Sequence, residues 1–286
     1  MKGAIALLAT SSLCLAACGA LLGITDSLGV EGEGSVDAST PESGDTSAPL
    51  TDAGADRDVT LDVQRPPRRP AEGTYAYTAS GSDKINGFVN FSFGYGPDAS
   101  IVIAHVGADC FDMTLQLRDK YVETMRMCIY GFSLVQISGV RDQTFAFNYR
   151  AITTKTCTPG DVFTTTDAIA IDKTFTHSCI GKNKDDQSGD STFQQVGPYK
   201  FVGITTLDVL GKATPVMRYG ESLDVTGAQT GSNIATWDFS LDEALPLQLV
   251  RTIQVRYASP VGTVTYTENV TMKLAGRPGP TDAGGD

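Results

Sequence analysis

The sequence has only two histidines, and it lacks the short motifs that mark most enzymes. It contains no G-x-S-x-G elbow, H-E-x-x-H pair, Walker loop or Rossmann glycine pattern. Catalysis by a side-chain nucleophile needs a base placed beside it, and no such pair stands out. His105 lies in the apolar run Ile103-Ala-His-Val106, which is typical of a packed residue. We therefore expect a protein that is not an enzyme and that has no cofactor.

Basic residues are too few for a nucleic-acid-binding surface. The chain has 22 lysines and arginines against 33 aspartates and glutamates, which gives a net charge of −11. Binding to a phosphate backbone depends on clustered positive charge, and no basic stripe is present. Nucleic acid is therefore not an expected partner.

Helical periodicity is also missing, and alternation with period two takes its place. Four runs place apolar residues on one face of a strand: 111–118, 144–150, 247–257 and 263–273. Two charged residues interrupt this pattern, Arg251 in the third run and Glu268 on the apolar side of the fourth. Such runs are typical of half-buried strands, with one face toward a core and one toward water.

The spacing of turn residues predicts how these strands connect. Further strands are expected at 74–80, 86–93, 100–106, 120–129, 132–138, 168–179, 199–209 and 233–240, and the polar run 182–192 is interpreted as a loop. Connections of a few residues favour antiparallel hairpins, because parallel strands need long crossovers. The predicted fold is all-β, a single large antiparallel meander that curves into a half-barrel or barrel or splits into two sheets.

The N-terminus has the outline of a secretory signal peptide, with Lys2 followed by a short apolar core. It ends in Leu15-Ala16-Ala17-Cys18, which resembles the lipobox of bacterial lipoproteins. That resemblance implies cleavage before Cys18, acylation of Cys18, and attachment to a membrane of the bacterial cell envelope, facing the periplasm or the cell surface. Cys14 falls inside the signal. The alternatives are plain secretion or a retained spanning helix over residues 3–24.

Composition divides the remaining chain into a linker, one domain and a tail. Residues 18–72 are acidic and rich in Pro, Ser, Thr and Gly, so they bury too little apolar surface to fold. Residues 73–275 carry the strand pattern and are expected to form one β domain. Residues 276–286 are again rich in Gly and Pro and are expected to be a disordered tail.

Four cysteines remain in the domain, and an even number in an exported chain predicts disulfides. We expect Cys110 to pair with Cys128 and Cys157 with Cys179, because each pair flanks a predicted hairpin. The alternative is a zinc site made by Cys157, His177 and Cys179, but no second close pair of ligands accompanies it.

Two functions of different class are compatible with these features. The C-terminal motifs Trp237-Asp-Phe-Ser, Ala244-Leu-Pro-Leu, Thr265-Tyr-Thr-Glu and Leu274 resemble those of uncharacterised exported bacterial proteins of lipoprotein-carrier-like shape. This resemblance implies a curved sheet that holds a lipid or other apolar ligand, for which aromatic strand residues would supply the surface. The alternative is a structural or surface-display lipoprotein that contacts other envelope proteins. The aromatic residues concerned are Tyr75, Tyr77, Phe88, Phe91, Phe93, Phe145, Phe147 and Tyr149.

Overall fold

The computed structural model describes residues 66–87, 90–146, 149–158, 161–164, 174–185, 189–259 and 262–278. The predicted signal peptide, Cys18 and most of the predicted linker lie outside these residues, as does the tail beyond residue 278. No helix in the described ranges has both the length and the apolar character needed to cross a membrane.

The described residues form fourteen β-strands. In chain order they are β1 (Gly73–Asn86), β2 (Phe91–Gly94), β3 (Asp98–Val106), β4 (Cys110–Arg118), β5 (Tyr121–Tyr130), β6 (Ser133–Thr144), β7 (Arg150–Thr158), β8 (Asp161–Thr164), β9 (Thr174–Asp185), β10 (Gly189–Val209), β11 (Lys212–Gly227), β12 (Gln229–Ser240), β13 (Pro246–Ser259) and β14 (Gly262–Gly276).

Twelve of these strands close into an antiparallel barrel, which confirms the all-β meander. Each long strand pairs with the next long strand along the chain, so that β1 pairs with β3 and β7 with β9. The last strand, β14, pairs with β1. The two short strands stand apart from this circuit, because β2 pairs with the second half of β1 and β8 with the first half of β6. The closed barrel replaces the open curved sheet that the C-terminal resemblance implied.

Closure requires β1 to run further than the sequence pattern indicated. The predicted strand 74–80 continues without a break to Asn86, and Gly81 makes this possible. Gly81 has a φ of 118°, and a Cβ atom built on it would lie 2.0 Å from the carbonyl oxygen of Asn269 on β14. A larger residue would therefore force apart the two strands that seal the barrel.

Several strand predictions were wrong in position. The run 144–150 was predicted as one strand, but β6 ends at Thr144 and β7 begins at Arg150. Between them, the backbone N–H of Phe145 donates to the carbonyl of Tyr149, and residues 147–148 lie outside the described ranges. The polar run 182–192 is a hairpin between β9 and β10, and not a loop, although residues 186–188 lie outside the described ranges. Strands β8 and β11 were missed entirely, and β7 was missed beyond its first residue.

The two ends of the barrel can be defined by their connections. One end is called the packed end. It holds the turns at 107–109, 131–132 and 210–211 and the segment 241–245. The opposite end is called the cavity end. It holds the turns at 119–120 and 227–228, and the strand ends Asp185, Gly189, Ser259 and Gly262 also lie there.

The packed end is filled by a single apolar cluster to which every long strand except β7 contributes. Phe111, Leu115, Leu134 and Met272 are fully buried in it, and Leu245 closes it from the segment between β12 and β13. Side chains of this kind interlock at the density of a protein interior, so this half of the barrel is a core and not a channel.

Residues just before β1 pack against the packed end. Arg68 forms two backbone hydrogen bonds with the segment 242–244, and the Arg69 side chain donates to the carbonyl of Gly107 at 2.9 Å. Pro67 and Pro70 are buried. The last residues of the predicted linker are therefore attached to the barrel.

Candidate functional site

A layer of charged side chains crosses the barrel interior between its two ends. Along β13, Leu249 belongs to the packed cluster, Arg251 follows it, and Ile253 belongs to a second, smaller apolar cluster at the cavity end. The same order occurs on β14, where Glu268 separates Val270 from Tyr266. We call this the polar layer, and its members are Asp83, Arg118, Tyr121, Glu123, Arg141, Gln143, Glu221, Arg251 and Glu268.

Arg251 is the centre of the polar layer. Its guanidinium bridges two carboxylates, Glu123 Oε2 at 2.8 Å and Glu268 Oε1 at 2.6 Å, and it also donates to the Tyr121 hydroxyl at 2.9 Å. Arg141 donates to the other oxygen of Glu123 at 3.1 Å. Each charge is thus paired and hydrogen-bonded, which is the condition for burying it at all.

Further hydrogen bonds extend the layer toward β1 and β4. The Tyr266 hydroxyl donates to Glu268 Oε2 at 2.6 Å, and Gln143 Nε2 donates to the Tyr266 hydroxyl at 3.0 Å and to Asp83 Oδ2 at 3.2 Å. Arg118 also pairs with Asp83, at 2.9 Å. These contacts join every member of the layer except Glu221 into one network across strands that are distant in sequence.

The pKa values of the buried acids depend on the balance between burial and nearby positive charge. Burial raises the pKa of Asp83 although Arg118 pairs with it. Burial acts to raise the pKa of Glu123, but the guanidinium groups of Arg141 and Arg251 hold it far below its ordinary range. The pKa of Glu268 is lowered for the same reason. Burial raises the pKa of Glu221. This carboxylate accepts hydrogen bonds from two neutral donors, Trp237 Nε1 at 3.0 Å and Asn233 Nδ2 at 3.3 Å.

A cavity of about 190 Å³ lies between the polar layer and the cavity end. Its apolar walls come from Ile85, Phe145, Phe193, Ile253 and Val255, and its polar lining includes Arg141, Gln143, Thr153, Lys155, Asn183 and Gln195. Exposed residues at the strand ends, Ala228 and Ala258, also line it. The site thus combines an apolar wall with a polar floor.

Lys155 on β7 is the basic residue of this floor whose charge is not paired. Within the described residues, no ion pair or hydrogen bond reaches its amino group. Burial lowers the pKa of Lys155 to about 8, and repulsion from the nearby Arg141 adds to that effect. The amine is therefore protonated at neutral pH, although less strongly than on the surface.

The predicted aromatic residues divide between the two ends. Tyr75 and Tyr77 lie in the packed cluster, whereas Phe145 and Tyr149 line the cavity. Phe91 and Phe93 pack against the cavity-end cluster. Phe88 and Phe147 lie outside the described residues.

The structure joins Cys110 to Cys128 and Cys157 to Cys179, the two pairings expected from the sequence. The second disulfide is buried, and His177 Nε2 lies 2.9 Å from the Cys179 sulfur. Three potential metal ligands therefore meet here, as the zinc alternative required, but both sulfurs are bonded to each other. Cys18 lies outside the described residues.

Sequence reasoning did not identify the charged residues of this site. Arg251 and Glu268 stood out because they interrupt apolar runs, but nothing in a single sequence shows that they form an ion pair. Glu123, Arg141 and Lys155 were not singled out. A charged residue at an inward position of a strand could have indicated the site. Which positions point inward is known only once the register of the strand is known.

Comparisons with known proteins add little to this description. No family model matches the chain, and no curated protein matches it. A solved structure described as the hypothetical lipoprotein YmcC from Escherichia coli (K12) aligns over 72% of this chain and 85% of its own, with 12% identity and a TM-score of 0.30. Similarity at that level supports no inference about fold or function.

Proposed function

We propose that the chain is an exported lipoprotein, held at a membrane through Cys18, whose barrel binds a small, mostly apolar molecule without catalysing a reaction. The cavity at the cavity end carries this proposal. Its volume of about 190 Å³ is comparable to the ~150 Å³ apolar cavity that is known to bind benzene. A molecule of that size fits the cavity, which is open toward the exposed residues Ala228 and Ala258.

The contrast with the packed end supports a binding role. A barrel that served only as a scaffold gains stability by filling its interior, as the packed end does. An unfilled space lined by Phe145, Phe193 and Ile253 forgoes those contacts, which is the usual construction of a small-molecule site.

Toluene is a suitable probe of this cavity, because it is apolar and of matching size. We expect toluene to raise the midpoint of thermal unfolding, since a ligand that binds the folded state stabilises it. The substitution Ala151→Phe places a ring in the cavity and should abolish the shift. Ala104→Phe on the exposed face of β3 is the matched control and should retain it.

A midpoint that toluene leaves unchanged, or an equal shift in Ala151→Phe, would reject the binding function. The alternative of a structural or surface-display lipoprotein would then be the better account. That alternative needs no free space inside the barrel.

The membrane attachment is tested separately, by intact mass and metabolic labelling with an alkynyl fatty acid. We expect the mature protein to begin at Cys18 and to carry label that Cys18→Ser abolishes. Cys14→Ser should be labelled like the parent protein, because that residue lies in the removed segment. A membrane-bound chain that retains residues 1–17 and takes up no label would instead support a spanning helix.

A further inference from the structure

The charges that line the cavity all have the same sign. Among the described lining residues the charged side chains are Arg141 and Lys155, and no carboxylate accompanies them. The carboxylates of the polar layer lie behind this surface. Glu123 and Glu268 are held by Arg251, and Glu221 is held by Trp237 and Asn233. The floor of the cavity therefore presents positive charge.

Unpaired hydrogen-bond donors accompany this charge. Asn183 Nδ2 and Arg141 Nε are buried and have no hydrogen-bond partner among the described residues. The Asn183 oxygen is already engaged, because the Thr153 hydroxyl donates to it at 2.7 Å. Buried polar groups nearly always have partners, so a wall with two unpaired donors beside a free ammonium group lacks an acceptor.

We propose that the ligand of this cavity is a small monocarboxylate, whose carboxylate binds the Lys155 ammonium group while its compact apolar body packs against Phe145, Phe193 and Ile253. This inference rests on the proposed binding function and specifies its ligand class. A carboxylate only accepts hydrogen bonds, and its two oxygens suit the Lys155 ammonium group and the unpaired donors of Asn183 and Arg141.

A single negative charge fits better than a double one. Arg141 pairs with Glu123, whereas Glu123 and Glu221 attract the Lys155 charge without forming an ion pair with it. One negative charge on the ligand is therefore enough to pair with Lys155. A doubly charged phosphate would bring one charge too many into a site with apolar walls, at a high cost in desolvation. The apolar walls likewise have no part in binding inorganic phosphate.

The test compares benzoate, benzyl alcohol and benzylamine by isothermal titration calorimetry at pH 7 with the full mature chain. The three probes share one ring and differ in the charge of the head group. We expect benzoate to bind at least about tenfold more tightly than benzyl alcohol, as a hydrogen bond between charged partners provides, and benzylamine to bind most weakly.

Substitution of the lysine separates the head-group contact from the apolar contact. In Lys155→Met, benzoate affinity should fall about tenfold or more, whereas benzyl alcohol affinity should change less than about threefold. Lys182→Met, on the exposed side of β9, is the control and should bind both probes like the parent. If Lys155→Met does not fold, the comparison among the three probes on the parent chain decides the matter by itself.

The outcomes distinguish this inference from the function on which it rests. Equal binding of benzoate and benzyl alcohol would overturn the monocarboxylate and leave an apolar binding site. Binding of none of the probes, together with no effect of toluene, would remove both. Displacement of benzoate by an equal concentration of inorganic phosphate would also overturn the inference, because the apolar walls would then have no role.

Discussion

The packed end and the cavity end are built from the same twelve strands, yet they use the interior differently. At the packed end, aromatic and aliphatic side chains from opposite strands meet and fill the space, and the segment 241–245 covers them. At the cavity end, a smaller set of apolar residues leaves a gap above the polar layer. One half of the barrel therefore supplies stability, and the other half offers a site whose floor is fixed by that stable half.

The polar layer is the boundary between these regions, so its central arginine is the most informative residue to change. Arg251→Met leaves Glu123 and Glu268 buried beside a side chain that offers no charge. Removal of one partner from a buried ion pair costs about 3–5 kcal/mol. We expect a loss of that size in the free energy of urea unfolding. Arg256→Met, exposed on the same strand, should lie within about 0.5 kcal/mol of the parent.

Truncation tests whether the packed end depends on the residues that precede β1. A chain that begins at Ala71 loses both hydrogen bonds between Arg68 and the segment 242–244 and the contact of Arg69 with Gly107. Each is worth about 1 kcal/mol at most, so we expect a loss of about 1–3 kcal/mol relative to a chain that begins at Pro66. Equal unfolding midpoints for the two chains would show that this attachment adds no stability.

Matched removal of a phenylalanine at each end tests the difference in packing. Phe111 is fully buried in the packed cluster, whereas Phe145 borders the cavity. Phe111→Ala should cost about 3–5 kcal/mol, and Phe145→Ala about 1–2 kcal/mol less, because its ring already faces empty space on one side. Equal costs in urea unfolding would mean that the two ends are packed alike.

A further comparison concerns acid stability at the packed end. Burial lowers the pKa of His177 to about 4, and the positive charge of Lys155 contributes in the same direction. Between pH 4 and 6.5 the unfolded chain then binds more protons than the folded one, so stability falls as pH falls through that window. His177→Gln should reduce this slope of unfolding free energy against pH. A slope identical to the parent's would show that His177 titrates normally.

The barrel was predictable where its interior is apolar. Strands β13 and β14 alternate between apolar and polar residues over most of their length, and both were expected within a few residues of their observed bounds. The pairing of the cysteines followed from the same hairpin pattern, since Cys110 lies directly opposite Cys128 in the register of β4 and β5.

The pattern failed where the interior is polar. Strand β11 was missed because its inward residue Glu221 is charged and Pro215 and Gly220 resemble turn signals. The hairpin at 182–192 was interpreted as a loop because its inward residues, Asn183 and Ser191, line the cavity. Hydropathy identifies the face toward an apolar core, so a strand that faces a polar layer or cavity carries no such signal.

The apolar residues that line the cavity led to the opposite error, in which a strand was predicted beyond the end of β6. Residues 144–150 alternate like a strand, but Phe145 and Tyr149 are apolar because they line the cavity near a turn. The candidate site could therefore be predicted only as a set of aromatic residues. Its polar floor depends on residues of the neighbouring strands β6, β7 and β9, which come together only when the pairing and register of those strands are known.

The isoleucines provide the most direct test of the division between the two ends. Ile85 and Ile253 belong to the cavity-end cluster, Ile101 and Ile103 to the packed cluster, and Ile180 lies on the outer surface. A titration of methyl-labelled isoleucine with benzoate, followed by NMR, reports on all three locations at once. We expect the Ile85 and Ile253 resonances to shift and saturate together while the other three stay unchanged. Shifts at Ile101 or Ile103, or shifts confined to Ile180, would contradict the assignment of ligand binding to the cavity end.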